Sequence, residues 1–256
     1  MCRWRAKGPE VPRVIASIEA RMGSSRFPGK VLVDIGGQPA LTRLLRRLRA
    51  CRSLDGIILA TSSASGDDAL QAWAQAEGVA AFRGSEEDVL ARVVGAQRAM
   101  ESDVVVEVTG DCTLLDPELI DLGVVTFLEN DCDVVTNVRK LSFPMGMDVQ
   151  VYRLRDLEEV ERTISDPAVR EHVSLYFYEH PERYRIIHMF APARWHAPDY
   201  RFQLDYPEDH RFLKEVYARL EAEHGDGFGI EEIMALLSRE PSLVDINRHC
   251  IEKPDR

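Results

Sequence analysis

Three cations fall within ten positions near the start of the chain: Arg21, Arg26 and Lys30, in the stretch ARMGSSRFPGK over 20–30, interleaved with Gly23, Ser24, Ser25 and Gly29. Small residues let backbone N–H groups approach an anion closely, and cations neutralise the charge that builds on phosphates during transfer. Arg can grip two phosphate oxygens at once, whereas Lys acts as a mobile point charge. The stretch therefore fits a triphosphate-cradling loop, and by composition alone it also fits an ordinary basic surface loop. Counting excludes two familiar phosphate motifs. A Walker loop, GxxxxGK followed by Ser or Thr, is ruled out because Gly23 and Gly29 enclose five residues and Val31 follows Lys30. A dinucleotide fingerprint needs GxGxxG opening a helix, and here the segment runs on into VLVDI, which reads as a strand.

Position strengthens the phosphate reading, because the loop directly follows a predicted strand, VIASI over 14–18. Further Val- and Ile-rich runs recur as GIILAT (56–61), VAAFR (79–83), DVVVEV (103–108) and DVVTNV (133–138), with helical spacing between them. Leu41, Leu44, Leu45 and Leu48 form one apolar stripe, with Arg43, Arg46, Arg47 and Arg49 predicted on the opposite face. A second helix contains Leu70, Trp73 and Ala74 after the start signal Gly66-Asp67-Asp68. A third is predicted from Ser85 towards Met100, and a fourth opens with Asp116-Pro117. Strands this apolar, alternating with helices, predict an α/β fold with a mostly parallel sheet between helical layers, its ligands at the strands' carboxyl ends. The rhythm changes from about 139, where strands over 148–153 and 184–190 flank a predicted helix over 167–180. The whole is read as one domain over 1–256, with 139–194 a substrate-lid or dimerisation excursion. RFQLD (201–205) reads as a strand returning to the core before helices at 207–224 and 229–239.

A 256-residue chain with 45% hydrophobic and 29% charged residues is an ordinary globular balance. Its net charge of −11 argues against a nucleic-acid polymer or an anionic membrane surface as partner, since both reward basic proteins. Cys2, Cys51, Cys112, Cys132 and Cys250 contain no CxxC pair, which points to a reducing cytoplasm. No run approaches the roughly 18 apolar residues of a membrane span, and VIASI is too short for a signal-peptide core. Residues 1–11 read as a loosely held terminus. The seven histidines show no metal-site spacing. Cys112 fits a small buried hydrophobe, and Phe177, Tyr178 and Tyr184 fit core or dimer contacts.

The string ARMGSSRFPGKVL resembles the opening signature of the spore-coat polysaccharide biosynthesis protein F family, cytidylyltransferases related to the CMP-sialate and CMP-Kdo synthetases. The resemblance continues in ILATSS (58–63), RGSEEDVLARV (83–93), VTGDCTLLDP (108–117), FPMGMDVQV (143–151), REHVSLY (170–176) and RFQLDYPEDHRFL (201–213). It implies a Rossmann-like nucleotidyltransferase fold that binds CTP with Mg²⁺. An acceptor oxygen attacks the α-phosphorus and pyrophosphate leaves. Such a displacement needs positioning and charge neutralisation, and Mg²⁺ takes hard oxygen ligands, commonly one or two carboxylates with phosphates and water.

Asp111, after DVVVEV, and Asp205, ending RFQLD, are the candidate metal carboxylates, although each alone also fits a turn or a helix cap. With Arg21 and Lys30 they form the expected catalytic set. The resemblance further implies Ser62, Ser85, Arg92, Thr109 and Gly110 as nucleotide contacts beside the loop residues. It implies Asp148, Gln150, Glu171 and His172 around the acceptor, and a homodimer. Many relatives carry Glu in place of Gln150, which removes a negative charge here, and Pro in place of Thr113. His172 is suited to proton removal from the acceptor or to a structural role. The acceptor is a small molecule such as a sugar, sugar acid or phosphonate, in surface-polysaccharide or natural-product biosynthesis. Alternatives are the same chemistry with GTP or UTP, a glycosyltransferase, disfavoured by the lack of a DxD pair after the fourth strand, and a silent nucleotide-binding partner.

Overall fold

Strand residues that alternate between two buried clusters need a helical layer on each face, and the computed structural model shows this arrangement for residues 12–252. The expected loose terminus, 1–11, and Cys2 with it, lie outside the described residues. The elements run β1 (Val14–Glu19), β2 (Asp34–Ile35), β3 (Gln38–Pro39), α1 (Ala40–Ala50), β4 (Gly56–Ser62), α2 (Asp68–Glu77), β5 (Ala80–Gly84), α3 (Val89–Ala99), β6 (Val104–Thr109) and α4 (Pro117–Glu129). They continue with β7 (Val134–Thr136), β8 (Gln150–Arg153), α5 (Leu154–Thr163), α6 (Pro167–Glu171), α7 (Leu175–Glu179), β9 (Ile186–His188), α8 (Pro207–His224) and α9 (Ile230–Arg239).

Among the described residues seven strands form the main sheet in the order β5-β4-β1-β6-β8-β7-β9. β8 runs antiparallel to both of its neighbours, and the other pairings are parallel. The carboxyl ends of β1, β4, β5 and β6 therefore share one edge, and Gln150, which opens the reversed β8, stands at that same edge. Ala16, Ile18, Val106 and Val151 face α1, α2, α4, α8 and α9. Ile15, Ile58, Val105 and Tyr152 face α3, α5, α6 and α7. Residues 139–194 thus supply β8 and β9 to the sheet and α5 to α7 to one helical layer. Among the described residues, no helix is long and apolar enough to cross a membrane.

Several expectations change. VLVDI is mostly not a strand: Gly29, in the left-handed region at φ 72°, opens a 3-10 turn over Lys30–Leu32, and only Asp34–Ile35 pairs, in a small hairpin with β3. RFQLD forms no ladder, because successive N–H groups go to different segments, Phe202 to the Met145 carbonyl at 2.8 Å and Leu204 to that of Asp111 at 3.0 Å. The predicted helix over 167–180 is two short ones, broken where His172 turns extended at φ −110° and ψ 94°. α3 starts at Val89, since the Asp88 side chain caps it by accepting the Ala91 N–H at 2.9 Å. The stripe Leu154, Leu157 and Val160 marks α5, a helix the sequence reading passed over.

Arg43 and Arg47, expected on an outer face of α1, are buried beneath α8 and α9. Arg43 pairs with Glu221 at 2.5 Å and Asp226 at 2.8 Å and lies over the Tyr217 ring, while Arg47 donates to the Phe228 carbonyl at 2.7 Å.

Packing of α4 against the sheet leaves no room at Gly123, where an added Cβ would sit 2.3 Å from Val149 Cγ1, a fully buried and stiff side chain. Gly123→Ala gains about 1 kcal/mol of helix propensity but overpacks the layer at a cost of about 1 to 3 kcal/mol. Urea unfolding should show a net loss of stability, and a more stable variant would contradict this packing.

Candidate active site

The cationic loop leaves β1 after Glu19 and folds on its own backbone, with the N–H groups of Ser24 and Gly29 both reaching the Met22 carbonyl at 3.1 and 3.0 Å. Asp67, buried just before α2, accepts the Met22 N–H at 2.6 Å, and Ser62 Oγ donates to the other Asp67 oxygen. Ser62 is fully buried and does not line the cleft described below. Ser85 is exposed, and its hydroxyl accepts the Asp88 N–H at 3.0 Å ahead of α3. Of the four expected nucleotide-contacting serines, Ser24 and Ser25 line the cleft, whereas Ser62 and Ser85 do not.

Asp111 and Asp205, far apart in sequence, meet on one ammonium. Lys30 Nζ lies 2.5 Å from Asp111 Oδ2 and 2.6 Å from Asp205 Oδ1. The backbone bond from Leu204 N–H to the Asp111 carbonyl brings the two loops together. Gly110 N–H donates to the Glu19 carbonyl at 2.8 Å, and a Cβ there would sit 3.0 Å from that oxygen and from Ala20 Cβ, so a side chain at this position would push β1 and the Asp111 loop apart. Asp205 is 1% exposed and meets two further cations, Arg26 at 2.8 Å on Oδ1 and Arg201 at 2.6 Å on Oδ2. Arg201 Nε in turn reaches both oxygens of Asp209, which accepts the N–H groups of Asp205 and Tyr206 and the Asn247 amide.

Burial alone would raise the Asp111 carboxyl, but the Lys30 ammonium overrides it and holds the group below the usual carboxylate range. Burial likewise would lower Lys30, and Asp111 and Asp205 together raise it. Two hard carboxylates converging on one cation are a donor set that Mg²⁺ accepts alongside phosphates and water. Among the described residues no three His, Cys, Asp or Glu side chains converge as a full protein cage.

Two cavities open at this edge. One, of about 630 Å³, is lined by Arg21, Gly23, Ser24, Ser25, Arg26, Lys30, Arg92, Thr109, Gly110, Asp111 and Asp205. The other, of about 370 Å³, is lined by Glu107, Asp148, Gln150, Ser174 and Tyr178. Glu19, Thr109, Glu171, His172 and Gln203 line both and form the shared wall. Each sequence-predicted site residue other than Ser62 and Ser85 thus faces one or both spaces. The reading missed Glu19, Glu107 and Gln203, together with Asp67, Arg201 and Asp209 behind them. A glutamate inside the valine run of β6 was the legible signal for Glu107. Tyr178 is no mere core residue, since its hydroxyl donates to Gln150 Oε1 at 2.8 Å, as does Ser174 Oγ, whereas Phe177 is wholly buried.

The second cavity holds carboxyls of the opposite tendency. Burial pushes Glu19 well above the usual range, with Glu107 adding to the effect, and Glu19 Oε1 has no hydrogen-bond partner. Burial raises Glu107 to about 7 against the Tyr152 hydroxyl that donates to it, and raises Asp148 to about 6, with the Asp111 charge contributing.

A family model described as cytidylyltransferase matches residues 15–241. The chain belongs to the cytidylyltransferase family. This cytidylyltransferase is 35% identical over 233 residues to the spore coat polysaccharide biosynthesis protein SpsF of Bacillus subtilis, covering 89% of this chain and 95% of that one. It is 34% identical over 234 residues to a 3-deoxy-manno-octulosonate cytidylyltransferase of an Anaeromyxobacter species, covering 88% and 84%. Among solved structures, a cytidylyltransferase from Leptospira borgpetersenii matches with a TM-score of 0.87 at 28% identity, over 95% of this chain and 100% of that one. The expected α/β nucleotidyltransferase fold is therefore the observed one.

The raised Glu107 carboxyl makes the cytidylyltransferase's stability pH-dependent. Between an ordinary value of 4.5 and about 7 the folded state holds a proton that the unfolded chain has released, so this contribution is full at low pH and is lost as pH rises through 7. Glu107→Gln keeps an acceptor for Tyr152 and removes the titration. Its stability relative to the parent should rise between pH 5 and pH 8 by on the order of 2 kcal/mol, at about 1.4 kcal/mol per pKa unit. Denaturant midpoints across that range measure it, and a constant difference would refute the shift.

Proposed function

We propose that this chain transfers CMP from CTP to an oxygen of a small-molecule acceptor, a sugar, sugar acid or phosphonate, and releases pyrophosphate. The observation that carries the reading is the buried Asp111–Lys30–Asp205 cluster at the floor of a cation-lined loop. The names of the relatives agree with it, since one acts on 3-deoxy-manno-octulosonate and another belongs to spore coat polysaccharide synthesis. Arg21, Arg26 and Lys30 take the triphosphate oxygens, with Ser24, Ser25 and the small residues around them letting the backbone approach. Thr109, Gly110 and Arg92 border the rest of the nucleotide. Asp111 and Asp205 hold Mg²⁺, which when bound neutralises charge on the phosphate oxygens.

The acceptor occupies the second cavity and presents its oxygen across the shared wall, where Glu171 and His172 stand beside the nucleotide cleft. Asp148 and Gln150 hold its remaining polar groups. The acceptor oxygen attacks the α-phosphorus in line, His172 takes the proton, and pyrophosphate leaves along Arg21, Arg26 and Lys30.

Pyrophosphate release measured with each of the four nucleoside triphosphates, with and without Mg²⁺, over a panel of sugar acids, sugars and phosphonates tests this. CTP should be the substrate. Asp111→Asn and Asp205→Asn should each lower turnover at least about 100-fold while the chain stays folded by circular dichroism. Full activity in both variants would sink the metal assignment, and release from GTP or UTP alone would sink the base assignment.

A further inference from the structure

The two carboxylates assigned to the metal already hold a cation of the chain itself. Lys30 Nζ is within 2.6 Å of an oxygen from each, and the carboxylates are nearly closed to solvent, at 8% exposure for Asp111 and 1% for Asp205. Asp205 also carries Arg26 and Arg201, so the pair's charge is met from within. A divalent ion approaching Asp111 and Asp205 would have to enter contact distance of an ammonium in a shielded site, where like charges repel far more than in water. Lys30 can yield its place only to the extent that other anions receive it. Among the described residues Lys30 pairs with Asp111 and Asp205 and not with Glu19, Glu171 or Glu252, which also line the cleft, while Arg21, Arg26, Ser24 and Ser25 beside it call for an anion and offer none. Phosphate oxygens seated in that loop would supply one.

We propose that Lys30 competes with free divalent ions for the Asp111–Asp205 pair, so that the pair takes its metal only as a metal–nucleoside triphosphate complex whose phosphates draw the ammonium away. This rests on reading the cleft as a triphosphate site. The same side chain is then both a phosphate ligand and a guard against adventitious metal. It also orders the binding events, with nucleotide and metal arriving together.

Mn²⁺ titration of the full chain, following the free ion by electron paramagnetic resonance, tests the competition. Without nucleotide, Lys30→Met, which keeps the side chain's length and loses its charge, should bind Mn²⁺ at least about tenfold more tightly than the parent. Lys30→Gln should do the same and serves if the Met variant loosens the fold. Adding Asp111→Asn to either should abolish the gain. With a CTP analogue carrying a methylene in place of the α–β bridging oxygen, the parent should bind Mn²⁺ at the affinity that the neutral variants show without it, or better. Equal Mn²⁺ binding by parent and neutral variants, or no binding by the variants, overturns the competition. Calorimetry with the same analogue keeps the two ideas apart: an analogue that binds while the Mn²⁺ result fails strikes Lys30 alone, and one that does not bind strikes the triphosphate reading and this inference with it.

Discussion

Burying the carboxylate of Asp205 is tolerable only if its charge is met, and meeting it draws three separate stretches of chain to one point. Lys30 and Arg26 come from the loop after β1, Arg201 from four residues upstream, and Lys30 brings Asp111 with it. Arg201 then engages Asp209 and Glu252, and Asp209 gathers the N–H groups of Asp205 and Tyr206 and the amide of Asn247. The start of α8 and the segment beyond α9 are thus tied to the same charge. An isolated buried charge is among the costliest features a fold can hold, whereas a hydrogen-bonded ion cluster can approach neutrality and fixes geometry. The sheet's contribution is to deliver β1 and β6 side by side, so that their loops start within reach of each other.

The two neighbouring spaces differ in electrical character. In the cleft, cations pull Asp111 below its ordinary range, while around the second cavity burial pushes Glu19, Glu107 and Asp148 above theirs. Carboxyls whose surroundings drive them in opposite directions are suited to different tasks, one staying ionised to hold cations and the others carrying protons near neutrality. Thr109, Gln203 and His172 stand on the wall between these regimes.

How far the sequence exposed this depends on range. β1, β4 and β6 were legible because strands covered on both faces are continuous apolar runs, the half-buried edge strand β5 by its short run VAAFR, and α8 and α4 because Pro207 and Asp116-Pro117 mark helix starts. The cation loop was legible by composition and by its place after β1. RFQLD misled because its Phe202 and Leu204 are buried like strand residues although their N–H groups serve Met145 and Asp111 in place of a ladder. Arg43 and Arg47 misled because helical periodicity assigns charge to solvent, and only the arrival of α8 and α9, nearly two hundred positions later, gives those guanidiniums partners. Ser62 was found by motif, yet its task lies one bond behind the loop, through Asp67, a relay that no spacing rule reveals.

The reversed strand β8 has an evolutionary corollary. The cleft is walled by residues from 19 to 31, 89 to 111 and 203 onward together with Glu171 and His172, whereas most of the second cavity comes from 137 to 178 as one continuous block. That block joins the sheet through backbone ladders to β6 and β7, with few side-chain contacts across them, among them Tyr152–Glu107, Arg153–Asp133 and Tyr178–Thr136. A lineage could therefore exchange or rewrite the block by recombination, replacing most of one cavity while the other kept all of its lining but Glu171 and His172.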